Sequence, residues 1–213
     1  AKTLFPYTTL FRSGGAEGAI SRLGVGGFAA MKALSTSMVI ACMTVALSLI
    51  LAIPAGYALS KRSLPMRSLF LLFFLLPQAF PTVAVHMNIA RIFYGFGLTG
   101  TIWGVMLVHA IQGLVFAVWI ASASFAAIGD EQVEAARNLG ASPLRAFMTI
   151  SLPLAAPGLM ASAIFVFLIS LDEFSGTFFV GVPDVRTLPL TMLNAALEGN
   201  YQIASITALL LLV

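Results

Sequence analysis

Long apolar runs alternate with short polar stretches along the chain, and the runs have the length of membrane crossings. Met38 to Leu59 holds 22 residues without a charge. At ~1.5 Å per residue that is enough to cross a ~30 Å hydrocarbon core. It predicts the first span, with Pro54 as a kink and with Gly56 and Ala58 where a neighbouring helix can come close. Ser68 to Ala90 predicts the second span, interrupted by Pro77 and Pro81. Prolines so close together free several backbone carbonyls, so this helix is expected to be broken and packed inside protein. Thr101 to Ala127 predicts the third span, Pro157 to Phe179 the fourth, and Tyr201 to Val213 the start of a fifth. Arg91–Gly100 and the proline- and glycine-bearing stretch Gly181–Asn200 read as outer loops.

Composition agrees with this pattern. Hydrophobic residues make up 60% of the chain and charged residues 9%, with a mean hydropathy of +1.01. A soluble domain would carry roughly 25% charge. The fold class expected is therefore an all-α, polytopic membrane bundle. The net charge of +3 is spread over scattered loop residues, so it orients spans and does not form a nucleic-acid surface. Lys61, Arg62 and Arg67 follow the first span at once, which places that loop in the cytoplasm. Counting spans from it puts Arg137 and Arg145 on the same side, and Lys32, Arg91 and Arg186 on the other. The single cysteine, Cys42, lies in an apolar run and reads as a small core residue. His86 and His109 are isolated, and no Cys/His cluster has metal-ligand spacing.

The two ends of the chain read differently. Thr3 to Ser13, TLFPYTTLFRS, resembles one translated frame of a common DNA-sequencing adapter, so residues 1–13 are expected to be a non-native leader. Residues 14–33 are glycine-rich and mixed in polarity, which predicts an extramembrane loop leading into a transmembrane domain over 34–213. The run after Tyr201 covers 13 residues. At ~1.5 Å each these are too few to cross, so a truncated carboxyl end is expected.

Between the third and fourth spans lies the one well-charged island, Asp130 to Pro153. It reads as two short helices joined by a tight bend. Asp130 is the expected cap of the first, with Glu131 and Glu134 near its positive end. Gly140 occupies the usual place of a left-handed C-terminal cap. Ser142-Pro143 restarts the chain as an N-cap followed by proline at the first helical position. Pro153 is expected to stop the second helix near Ile150.

Glu134-Ala135-Ala136, three residues, Gly140, nine residues, Ile150, one residue, then Leu152-Pro153 reproduces the spacing of the EAA signature. In this the chain resembles the permeases of bacterial ABC importers, and SLDEFSGTFFVGVPDVRTLPL is similar to the branch that handles spermidine and putrescine, with relatives for iron, thiamine and phosphonate compounds. The resemblance implies a type I importer fold of six spans, of which this chain would lack the first and part of the last. It also implies a multi-pass subunit of the bacterial inner membrane that is not an enzyme. Its partners would be two ATP-binding subunits, a second permease subunit, an extracytoplasmic substrate-binding protein and membrane lipid. The chain itself would bind no cofactor, since ATP and magnesium are used by the partner, and no G-x-x-x-x-G-K-[ST] phosphate loop occurs in it. Island 130–153 would be the cytoplasmic coupling loop.

On that basis Glu134, Ala135, Ala136 and Gly140 are the expected ATPase-coupling residues. Arg137 and Arg145 either touch the same partner or face cytosol and lipid headgroups. Asp172 and Glu173, a few residues inside the outer end of the fourth span, admit two readings. They line an outward vestibule that attracts a cationic solute, or they form a hydrogen-bonding site that holds a helix break or touches another subunit. His86 and Asn88 are weaker substrate-path candidates, because polar residues in spans serve more often as interhelical bonds. An ion-gradient-driven carrier would suit the broken helix and the acidic pair, but it offers no reason for the EAA spacing.

Overall fold

A computed structural model describes residues 16–60 and 66–212. The leader 1–13, and Lys61 and Arg62, lie outside the described residues. Helix α1 runs from Ala16 to Ser60. The glycine-rich stretch expected as a loop is thus helical from Ala16, and Gly27–Ser60 within the same helix is apolar enough to cross a membrane. A glycine in a helix costs about 1 kcal/mol relative to alanine. Extending a helix that already exists adds one hydrogen bond per residue fixed, so such a stretch can be carried as the end of a long helix.

Arg67–Leu75 forms α2, a 3₁₀ turn covers Leu76–Ala79, and Thr82–Gly95 forms α3. The two helices meet at 92°. The break falls where Pro77 and Pro81 predict it, and Phe80, held extended by the proline after it, is the pivot. It is not packed inside this chain, however: Gln78, Phe80 and Pro81 are all exposed. The tight turn and the bond from Ala84 N–H to the Pro81 carbonyl (3.0 Å) satisfy backbone groups that would otherwise need protein cover.

Ile102–Ala126 forms α4, capped by Thr101, whose hydroxyl accepts from Gly104 N–H at 3.0 Å. Asp130–Asn138 is α5 and Pro143–Ala146 is α6. A π-type segment at Phe147–Ser151 then leads without interruption into α7, Leu152–Asp172. Pro153 therefore does not stop the helix. Leu152 N–H bonds back to the Phe147 carbonyl in the wide register, and a proline in the first turn after such a shift has no N–H to leave unpaired. The fourth span consequently starts earlier than expected and ends at Asp172, with a separate short helix α8 at Ser175–Val180. Leu188–Leu197 forms α9 inside the expected outer loop, and Tyr201–Leu212 forms α10.

Among the described residues, three helices are long and apolar enough to cross a membrane, at Gly27–Ser60, Ile102–Ala126 and Pro143–Asp172, with the bent α2–α3 pair as a fourth crossing if counted as one. The core is where α1, α4 and α7 pack together. It is built from small residues: Ala52, Ala117, Ala121 and Ala155 with Val118 and Val166, all at or near full burial. Lipid tails are as apolar as leucine, so close backbone approach is what holds such helices together. Gly56 shows the limit of that approach, since a Cβ there would lie 2.6 Å from the Ala121 Cβ. At one end Tyr57, Phe125 and Phe147 stack edge to face, with Tyr57 centroids 5.3 and 4.7 Å from the other two. This cluster sets the end of α1, the end of α4 and the start of the long helix side by side.

Candidate functional site

Two regions at opposite ends of the Pro143–Asp172 helix gather the sequence-derived candidates. The first is an elbow made by α5 and α6. Gly129, not Asp130, is the residue before α5, and Asp130 is its first helical residue beside Glu131. Gly140 has φ +90. Its N–H bonds to the Arg137 carbonyl at 2.9 Å, and Ala141 N–H bonds to the Ala136 carbonyl at 3.0 Å. This pair of bonds is the Schellman closure of a helix, and the left-handed backbone it needs is why glycine stands there. Ser142 then caps α6, its hydroxyl accepting from Arg145 N–H at 3.3 Å, with Pro143 in the first turn.

Glu134, Ala135, Arg137, Gly140 and Arg145 are all exposed on this elbow, and Ala136 is half-buried. Leu139 and Leu144 flank the bend at 89% and 72% exposure, with Met148 exposed beyond them. Sequence reasoning passed over these apolar side chains. Their signal is position: a leucine on either side of a one-turn bend has no interior of its own to enter. An exposed apolar patch rimmed by charge marks a contact surface. The aromatic cluster also fixes the elbow beside the Ser60 end of α1, which Lys61 and Arg62 follow in sequence.

The second region is a polar joint where α7 breaks. Glu173 leaves the helix with extended backbone (φ −72, ψ 111). One of its carboxylate oxygens, Oε1, accepts from the Ser175 hydroxyl and from Gly176 N–H, both at 2.8 Å. His86 of α3 lies with Nδ1 2.7 Å from the Ser175 oxygen and 3.6 Å from the same Glu173 oxygen. A hydroxyl has a single hydrogen, and Ser175 donates it to Glu173, so the Nδ1 N–H of His86 donates to Ser175. His109 of α4, wholly buried, reaches both sides of the break: Nδ1 is 2.9 Å from Ser170 Oγ and Nε2 is 3.0 Å from Thr177 Oγ1.

The expected substrate-path set therefore divides. His86 and Glu173 meet. Asn88 faces away and bonds to the Ala84 carbonyl of its own helix at 2.8 Å, and Asp172 is exposed. Glu173 is not a few residues inside a continuous span: it sits at the break, and its hydrogen bonds hold that break. His109, which reads as isolated in the sequence, joins this site. No group of three or more His, Cys, Asp or Glu side chains able to hold a metal exists among the described residues.

Comparison with known proteins assigns the chain. The family model described as binding-protein-dependent transport system inner membrane component matches residues 48–213. The chain belongs to that family. Among similar curated proteins, this permease is 30% identical over 175 residues to the trehalose transport system permease protein SugB of Mycobacterium tuberculosis, covering 82% of this chain and 60% of that one. It is 28% identical over 174 residues to the putative 2-aminoethylphosphonate transport system permease protein PhnV of Salmonella typhimurium, covering 81% and 66%. The permease thus spans about two thirds or less of the length of these two relatives. Among solved structures, the inward-facing MetNI methionine ABC transporter matches with a TM-score of 0.67 at 15% identity, covering 85% of this chain and 87% of that one. A bacterial ABC transporter importing alginate matches with a TM-score of 0.60 at 18% identity, covering 84% and 68%. At these identities the likeness speaks for the helical fold, which is that of importer permeases.

Proposed function

We propose that this chain is the membrane-spanning subunit of an ATP-driven importer, and that its elbow carries force from an ATP-hydrolysing partner into the bundle. The observation that carries this reading is the elbow itself. It is an exposed, Schellman-closed bend bearing Glu134, Leu139 and Leu144, and it runs without a break into a 30-residue helix that crosses the membrane. Family membership supports the same role. Two ATP-binding subunits, a second permease subunit and an extracytoplasmic binding protein complete the assembly, and the magnesium–ATP chemistry belongs to the partner. Glu134→Lys places a cation where a carboxylate stands at the centre of the elbow's polar face. Affinity purification of the chain with its cognate ATPase should lose the partner on that substitution. Retention of the ATPase by Glu134→Lys, or solute uptake by this chain alone driven by an ion gradient, refutes the reading.

For the solute we infer an amine-bearing compound, either a polyamine or an aminoalkylphosphonate. Glu173 is engaged at the break, so only the exposed Asp172 of the acidic pair supports a cation. An ammonium group is common to the polyamines suggested by the SLDEF stretch and to the 2-aminoethylphosphonate named for the PhnV relative. Uptake of labelled spermidine and 2-aminoethylphosphonate by the reconstituted importer, with trehalose as the neutral competitor, tests this. Uptake of trehalose with neither amine bound would overturn it.

A further inference from the structure

The elbow and the polar joint are the two ends of one rod. Pro143–Asp172 is a single 30-residue helix. At ~1.5 Å per residue it reaches about 45 Å. We propose that the joint is a tie: His86, through Ser175, fastens α3 to the break after α7, so that displacement applied at the elbow reaches the outer half of the bent span. This rests on the function proposed above, in which force enters at the elbow.

Helix α3 needs such a tie. It meets α2 at 92° through a short turn, so α2 cannot hold it as a continuous rod would. Its main packing partner is α8, with only slight contact to α4. Val83, Met87, Ile92 and Tyr94 on its remaining surface are exposed. Against α8 it places His86, 1% exposed. The hydrophobic effect gives no drive between helices in lipid, so close packing and interhelical hydrogen bonds hold them, and the His86 bond adds to the packing of Ile89, Ala90 and Phe93 against Val105, Val108 and Val180. The carboxylate at the other end is equally committed. If Glu173 swung toward a solute, the Ser175 hydroxyl and Gly176 N–H would lose their acceptor, and buried donors are costly to strand. His109 completes the joint by bridging Ser170 on the rod and Thr177 on α8. His86 and Glu173 are thus positioning residues and do not contact the solute.

The geometry makes a sharp distinction. All the bonding of His86 is at Nδ1, while its Nε2 has no partner among the described residues. An asparagine amide nitrogen can stand near the Nδ1 position, whereas a glutamine amide reaches toward Nε2. In proteoliposomes holding the full importer with ATPase and binding protein, His86→Ala should lower solute taken up per ATP hydrolysed by about tenfold, the scale of one lost bond in a buried chain. His86→Asn should stay within about twofold of the parent, and His86→Gln should fall with alanine. ATPase association should be unchanged in all three. A second measurement uses the parent sequence at the joint. Spin labels on the exposed Met87→Cys and Phe178→Cys, with the exposed Cys42 replaced, should give the same distance distribution in nucleotide-free and ATP-trapped states. Unchanged coupling in His86→Ala, glutamine serving as well as asparagine, or labels that separate between states would each overturn the tie. If a variant also loses the ATPase, it has misfolded, and the label pair decides. If the parent fails to bind the ATPase, the proposed function has failed first.

Discussion

Gly140 is the position where the elbow can be loaded most cleanly. Its φ of +90 lies where side chains are strained, yet a Cβ built on it meets nothing within 4 Å. Gly140→Ala therefore adds no clash, and its effect is purely that of the backbone. Two responses are open to the elbow. If it keeps its shape, alanine in this conformation costs about 1–3 kcal/mol. If it relaxes to negative φ, the bonds at 2.9 and 3.0 Å from Gly140 and Ala141 are lost. Those bonds are worth ~0.5–1.5 kcal/mol each, so the two routes cost about the same. Either way the docking-competent bend is depopulated by roughly 5- to 150-fold, since each ~1.4 kcal/mol is tenfold. Titration of the cognate ATPase onto the purified permease should show weaker binding by that factor. Gly140→Asn should recover much of it, because asparagine tolerates left-handed backbone. Parental affinity in Gly140→Ala, or asparagine binding no better than alanine, would refute the claim that the left-handed turn shapes the docking surface.

Two further substitutions test the packing and the solute reading. Gly56→Ala drives a Cβ to 2.6 Å from the Ala121 Cβ and 2.9 Å from the Ser122 backbone nitrogen, so α1 and α4 must part. A cost of ~1–3 kcal/mol is expected, read as a lower Tm in detergent, with ATPase binding retained. Asp172→Asn removes the exposed carboxylate at the end of α7 and should weaken uptake of the amine-bearing solute by about 3- to 10-fold, more at low salt than at high. Equal uptake at all salt concentrations would remove Asp172 from the solute path.

What the sequence disclosed was local chemistry. Gly140 after a helix and Ser142-Pro143 before one carry their geometry in a few neighbouring residues, and the bend at Pro77 and Pro81 follows from missing donors. Run length marked where the long apolar helices lie, but not that the last long one runs from Pro143 and ends at Asp172. What stayed hidden depended on register or on distant partners. Pro153 is a stop signal in an ordinary helix, and the π-type segment that neutralises it has no mark in FMTIS. The helical start of α1 was masked by glycines that would be loop-forming by themselves. His109 shows no role until Ser170 and Thr177, 61 and 68 residues away, are brought to its two nitrogens.

The acidic pair shows why such sites resist reading from one strand of text. Adjacent residues in a continuous helix point about 100° apart, so Asp172 and Glu173 would both have been half-facing an interior that has little room for two carboxylates. Ending the helix at Asp172 resolves this. Asp172 stays on the outside of the last turn, exposed, while the extended backbone at Glu173 turns its side chain back onto the first donors of α8. Those donors need an acceptor in any case, because the first N–H groups of a helix such as Ser175–Val180 have no partner within it. One carboxylate is thereby engaged by hydrogen bonds at the break, and the other stays exposed. The same break that assigns them also brings Ser175 within reach of His86, so the division of roles and the tie to α3 are consequences of a single event in the chain, the departure from helix at residue 173.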